Sequence, residues 1–172
     1  MRSITYEVDG NEVSFSGGTL NGNLYGGAVD RAEGVSSSFS IDVINNTVNI
    51  SGGNINGNIY GGYTLLGNVN SNILNVYGGT FSSSSNLYGG YSSNGNVNSN
   101  VLNVYTSGLS MNNIYNFDTI NFYIPATTTS GSTMLTLNDT AGTDISNSTI
   151  QAGILGDSNV SDLNINLLTN QN

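Results

Sequence analysis

The chain has 172 residues, a formal charge of −9 and only two basic residues, Arg2 and Arg31. It lacks the Lys and Arg that displace phosphate counterions, which argues against nucleic acid as a partner and equally against anionic membrane surfaces. With neither cysteine nor histidine there is no disulfide framework and no thiolate metal site, and no cofactor or metal is expected.

Charged residues make up 8% of the chain, far below the roughly 25% of typical domains. Gly, Asn, Ser and Thr take their place. Such polarity alone suits a disordered chain, but ten tyrosines, five phenylalanines and many Ile, Val and Leu fall at regular intervals. No stretch is apolar for long enough to span a bilayer. No apolar run follows Met1-Arg2-Ser3, as a signal peptide would require; the signal of an exported protein is expected upstream of residue 1.

Taken in order, residues 1–16 predict a short alternating strand with Val13 and Phe15 on one face. The stretch 17–27, Gly-Gly-Thr-Leu-Asn-Gly-Asn-Leu-Tyr-Gly-Gly, returns at 52–62 as Gly-Gly-Asn-Ile-Asn-Gly-Asn-Ile-Tyr-Gly-Gly. A degenerate copy runs from Gly78 to Gly90, and a fourth survives as Gly108-Leu109 and Ile114-Tyr115-Asn116-Phe117. Tyr25, Tyr60, Tyr88 and Tyr115 are separated by 35, 28 and 27 residues. The longer first step places a loop or small flap within 28–49, around Asp30, Arg31 and Glu33, and Asn45-Asn46 predicts a turn.

Residues 67–76 recur at 95–104 with one change, Val101 standing where the first copy has Ile73. A fixed 28-residue shift marks a repeat architecture, whose units are too small to bury a core without neighbours. Matching letters then become neighbours at the strand spacing of about 4.8 Å. Val69, Ile73 and Val76 meet Val97, Val101 and Val104, while Leu24, Ile59, Leu87 and Ile114 form a second apolar column. Glycine supplies the corners. No charge occurs between Asp42 and Asp118, because like charges directly opposite are destabilising. Asn68, Asn70, Asn72 and Asn75 are instead expected to pass hydrogen bonds to Asn96, Asn98, Asn100 and Asn103, as stacked amides do.

The expected fold is all-β, a right-handed parallel β-helix (β-solenoid) with rungs of about 28 residues. Residues 1–117 are its repeat part, and 118–172 are irregular terminal coils continuing or capping the same solenoid. There Ile120, Phe122 and Ile124 alternate until Pro125 ends the strand. A turn at 127–133, a strand at Met134–Leu137, and later strands around Ile150, Ile154, Leu163, Ile165 and Leu167 follow. An uncapped end exposes strand edges, so further chain or end-to-end self-association is expected to cover it.

The Gly-Gly-x-Ile-x-Gly-Asn-x-Tyr-Gly-Gly copies resemble the passenger domains of bacterial autotransporters (type V secretion). Residues 115–125, Tyr-Asn-Phe-Asp-Thr-Ile-Asn-Phe-Tyr-Ile-Pro, followed by Met134–Leu137, look like the segment that often precedes the outer-membrane barrel. The resemblance covers roughly 13–172. It implies a β-helix shown on, or released from, the cell surface, anchored through a barrel absent from this chain. This fragment itself would make no membrane contact. Such passengers are commonly adhesins, so a host glycan or matrix protein is the implied partner.

The expected function is therefore a non-enzymatic structural or adhesive scaffold. The alternative is a β-helical carbohydrate-active or carbohydrate-binding protein, which as a glycosidase would need two carboxylates flanking the bond. Asp30 and Glu33, in the expected loop, are the pair considered for that role. Asp139, Asp144, Asp157 and Asp162 lack the dense spacing of a calcium loop. Tyr25, Tyr60, Tyr88 and Tyr115 read first as a structural ladder of packed rings. Tyr63 and Tyr91 beside it, with Asp30 and Glu33, are the candidate ligand contacts. No column of Thr-x-Thr repeats suggests ice binding.

Overall fold

The computed structural model describes residues 4–30, 39–156 and 163–171. Strands follow in chain order: β1 (Ile4–Asp9), β2 (Glu12–Phe15), β3 (Thr19–Leu20), β4 (Leu24–Val29), then β5 (Phe39–Ile44), β6 (Thr47–Ile50), β7 (Asn54–Ile55), β8 (Ile59–Thr64). A third round gives β9 (Val69–Asn70), β10 (Ile73–Val76), β11 (Thr80–Phe81) and β12 (Asn86–Ser92). A fourth gives β13 (Val97–Asn98), β14 (Val101–Val104), β15 (Leu109–Met111) and β16 (Asn113–Tyr115). The chain ends in β17 (Thr119–Pro125), β18 (Thr133–Leu137), β19 (Thr149–Leu155) and β20 (Asn166–Asn170).

The fold is all-β and every sheet is parallel, as in β-solenoid-like proteins. Sheet A is β1-β5-β9-β13 and sheet B is β2-β6-β10-β14-β17-β19. Sheet C is β3-β7-β11, sheet D is β4-β8-β12-β16, and sheet E is β15-β18-β20. Each of the first three rounds visits A, B, C and D in turn. Val13, Val48, Leu74, Leu102, Ile120 and Ile150 are successive partners down sheet B. Leu24, Ile59, Leu87 and Ile114 descend sheet D as the spacing required.

Alternation decides which apolar residues form the core, since successive side chains of a strand point to opposite faces. In β10 and β14 it is Leu74, Val76, Leu102 and Val104 that are buried. Ile73 and Val101, expected in the apolar columns, are partners but lie on the outward face, half-exposed. Each fully buried aliphatic side chain is worth about 1.5–3 kcal/mol. The inward columns of sheets B, C, D and E merge in a single cluster from Val48 to Leu137.

A row of asparagines runs down the corner between sheets A and B, wholly buried at Asn46, Asn72 and Asn100. Asn46 donates its backbone N–H and its Nδ2 to Asn72 Oδ1, both at 3.0 Å. Asn72 donates likewise to Asn100 Oδ1, at 2.9 and 3.1 Å. The Asn100 N–H donates to Asp118 Oδ2 at 3.0 Å, which ends the row. Each buried amide also donates to a carbonyl of the preceding round: Val8, Val43 and Val69. The corner itself is made by Asn45, Ser71 and Ser99 at φ of 56°, 60° and 59°, a left-handed conformation that costs non-glycine residues energy. The expected Asn45-Asn46 turn is this corner.

A second, outward row on sheet B runs the opposite way. Asn121, Asn103 and Asn75 each donate to the Oδ1 of the residue above at 2.8 Å, and Asn49 donates to Glu12 Oε1 at 2.7 Å. On sheet A the N–H of Asn96 donates to Asn68, and Asn68 donates twice to Asp42. All four expected asparagine pairings occur, counting the Asn98 N–H to Asn70 Oδ1. Among the described residues like charges meet at one register pair, Glu7 and Asp42 at the first step. Where sheet D bends, a Cβ on Gly61 would lie 2.5 Å from the Gly89 carbonyl oxygen and 2.9 Å from Asn72 Cβ, so the second glycine pair lets the D backbone approach the asparagine row.

Other expectations are adjusted. The single strand placed in 1–16 is two strands, because Gly10 at φ 68° turns the chain between β1 and β2. Within 28–49, residues 28–29 finish β4 and 39–44 and 47–50 are β5 and β6. Residues 31–38, with Arg31 and Glu33, lie outside the described residues. Ile120, Phe122 and Ile124 are buried along β17, and Pro125 is its last residue. The later strand begins only at Asn166, after Leu163 and Ile165, where β18 offers it a partner. In β19, Ile150, Ile154 and Leu155 are exposed.

Candidate functional site

Sheet D carries six of the ten tyrosines. Tyr25, Tyr60, Tyr88 and Tyr115 stack with ring centroids 5.0, 4.6 and 4.9 Å apart. Tyr63 stacks on Tyr91 at 5.3 Å and meets Tyr25 and Tyr60 edge-on. Of the candidate contacts, the structure thus gathers Tyr63 and Tyr91, and it brings Asp30 close enough to act on Tyr63 electrostatically. Glu33 lies outside the described residues. A further ladder, Tyr77-Tyr105-Tyr123, descends beside sheet B at 4.4 and 4.6 Å, and the sequence reading missed it.

Stacking limits what these rings can do. A ring inside a ladder has both faces covered by neighbours, so Tyr60, Tyr88 and Tyr105 offer solvent only edges and hydroxyls. Ring faces are free only at ladder ends.

One ladder end borders a cavity. Sheets A and D stop at β13 and β16 because later rounds supply only B and E strands. The result is a cleft of about 670 Å³ bordered by Val97, Asn98, residues 113–118 and the 139–148 segment. In earlier rounds a D-strand N–H reaches the next round, as Leu24 N–H does to the Asn58 carbonyl at 2.9 Å. Ile114 has no such partner and donates to its own Asn113 Oδ1 at 2.8 Å. Asn113 Nδ2 then donates to Asp139 Oδ2 at 2.7 Å and to the Gly142 carbonyl at 3.2 Å. Tyr115 donates its hydroxyl to the same Asp139 oxygen at 3.3 Å. The 139–148 segment thereby closes the edge of sheet D, a device that blunts strand edges.

Three carboxylates face this cleft: Asp118, Asp139 and Asp144. Hydrogen bonds from the Ala141 N–H and the Asn113 amide hold Asp139 below the usual carboxylate value. The Ser146 N–H does the same for Asp144. The sequence had offered Asp139 and Asp144 only as calcium candidates, with Asp157 and Asp162, which lie outside the described residues. Among the described residues no group of three or more acidic side chains is placed to hold a metal ion. The one trace of the cleft in the sequence is that no further copy of the motif follows the decayed fourth one at Ile114-Tyr115-Asn116-Phe117.

Elsewhere, burial first and then neighbouring phenols push Tyr88 and Tyr105 above the ordinary value of 10.0. Burial also raises Tyr60, against an opposing hydrogen bond from Asn58. For Asp42 burial acts upward, but hydrogen bonds from Asn68 and Ser40 outweigh it and hold the carboxyl below 3.8. Raised phenols stabilise the fold below pH 10 and lose that contribution as pH climbs through their folded values. Depressed carboxyls stabilise it above about pH 4 and lose that contribution as pH falls through theirs. Urea midpoints measured against pH are therefore expected to form a plateau that declines on both sides; a midpoint still rising above pH 10 would contradict the ladder geometry.

Among the described residues no helix is long and apolar enough to cross a membrane. No family model, curated protein or solved structure matches the chain.

Proposed function

We propose that the chain is a right-handed parallel β-helix serving as a non-enzymatic scaffold, the adhesive passenger part of a cell-surface autotransporter. The carrying observation is the uninterrupted stacking of neutral asparagine and tyrosine rows over four rounds of parallel strand, a construction suited to length and rigidity. The right-handed sense follows from the general rule for crossovers between parallel strands. The repeat motif and the 115–137 segment support the autotransporter assignment through their resemblance to such passengers.

A carbohydrate-binding reading is favoured by the cleft beside Tyr115. A glycosidase reading is supported less well. A proton donor for glycoside cleavage needs a carboxyl raised toward neutrality, and Asp139 and Asp144 are shifted the other way.

Purified protein is expected to be retained on at least one immobilised glycan or matrix protein without releasing reducing sugar. Reducing-sugar release abolished by Asp139→Ala or Asp144→Ala would overturn the scaffold reading. A parent gene with no barrel-coding sequence downstream would remove the autotransporter assignment.

A further inference from the structure

We propose that the cleft under Tyr115 is a binding site for a neutral saccharide of one or two rings. This deepens the adhesive reading and rests on it for the choice of a glycan as ligand.

A sugar ring packs its apolar face on the face of an aromatic ring, and stacking denies that face to Tyr60 and Tyr88. Tyr115 ends its ladder: Tyr88 covers one side at 4.9 Å, and among the described residues no ring covers the other. That residue also lines the cleft. Its hydroxyl is held between Asn113 Nδ2 at 3.1 Å and Asp139 Oδ2 at 3.3 Å, so the platform is fixed before a ligand arrives, which lowers the cost of binding.

The polar rim selects the ligand. Asp118 commits Oδ2 to the Asn100 N–H, and Asp144 commits Oδ1 to the Ser146 N–H, with the Ser146 hydroxyl also bonded to Asp144. An ionised carboxylate accepts through both oxygens, so each presents an acceptor to hydroxyl donors such as adjacent sugar hydroxyls. Acidic sugars and phosphates would meet these carboxylates with no basic residue among those described to compensate, in a chain of net charge −9. The volume of about 670 Å³ falls within the roughly 300–1,000 Å³ of small-molecule pockets.

Calorimetric titration of the full chain with lactose, cellobiose, maltose and diacetylchitobiose, with sialyllactose, spermidine and Ca²⁺ as comparators, tests this. At least one neutral disaccharide is expected to bind saturably with Kd on the order of 1 mM, and sialyllactose more weakly than lactose. Tyr115→Ala is expected to weaken binding about tenfold or more and Asp144→Asn by about three- to tenfold. Tyr25→Ala, at the far end of the ladder, is expected to stay within about threefold. Because Asp144 is exposed, its variant remains informative if Tyr115→Ala unfolds. Saturation by spermidine or Ca²⁺ with no response to any disaccharide would overturn the proposal, as would disaccharide binding indifferent to both Tyr115→Ala and Asp144→Asn. Retention of the folded Asp144→Asn variant on matrix proteins is read separately, so failure of the cleft is distinguishable from failure of the adhesive reading.

Discussion

Asn72→Leu is expected to lower the unfolding free energy by about 3–5 kcal/mol, although leucine is nearly isosteric with asparagine and enters an interior lined by aliphatic side chains. Asn72 is fully buried. Its Oδ1 accepts the Asn46 N–H and one Asn46 Nδ2 hydrogen. Its Nδ2 donates to the Val43 carbonyl and to Asn100 Oδ1. Leucine would leave all of these facing hydrocarbon, and each buried polar group left unpaired costs about 1–3 kcal/mol. The sum is held below the simple total because Asn46 Nδ2 keeps its bond to Val8. Asn75→Leu is the matched control. Asn75 belongs to the outward row and is half-exposed, so water replaces its partners and the loss should stay near 0.5–1 kcal/mol, roughly. Urea unfolding of the two variants checks the contrast; equal midpoints would mean the inner row is not held dry.

Gly57→Ala is expected to cost about 3 kcal/mol or more, while Gly22→Ala, at the same place in the preceding copy of the motif, should change stability by no more than about 0.5 kcal/mol. The two glycines are equivalent by letter. They differ by position in the stack. A Cβ on Gly57 would penetrate the Gly22 carbonyl group, and that carbonyl is backbone, with no rotamer through which to retreat. A Cβ on Gly22 meets nothing within 4 Å, because Gly22 lies in the first round. Alanine there also restricts the unfolded chain, which acts in favour of the fold. Thermal melts of both variants measure the difference. Similar melting temperatures would show that successive rounds do not lie in contact as described.

Stacking was legible because two segments repeat almost letter for letter, so the shift between 67–76 and 95–104 fixed the register of β10 on β14. The facing of individual residues was less legible. Ile73 and Leu74 are both apolar, and only the position of the αL corner at Ser71 decides which turns inward. The pattern marks Asn46 as a turn residue and not as the head of the buried row, because it lies outside the literal repeat. Tyr123 is hidden as the base of a third ladder for a related reason. Its register partners follow a shorter step through β14 and β17, and no fixed period predicts it. The cleft was least legible of all. It depends on where sheets A and D cease and on how 139–148 folds beneath Asn113, which no local pattern encodes.

Three of the asparagine rows are chains of donors aimed one way and finished by a group that can only accept. The inner row ends downstream at Asp118, while the outer row and the sheet A row end upstream at Glu12 and Asp42. A carboxylate suits a terminus and not a link, since it has no hydrogen to hand on. These three rows can therefore be lengthened only from within. Inserting further copies of 67–94 would give each new Asn68, Asn72, Asn75 and Asn86 both a giver and a taker, whereas duplicating the segment around Asp118 would strand an acceptor in mid-row and break the line in two.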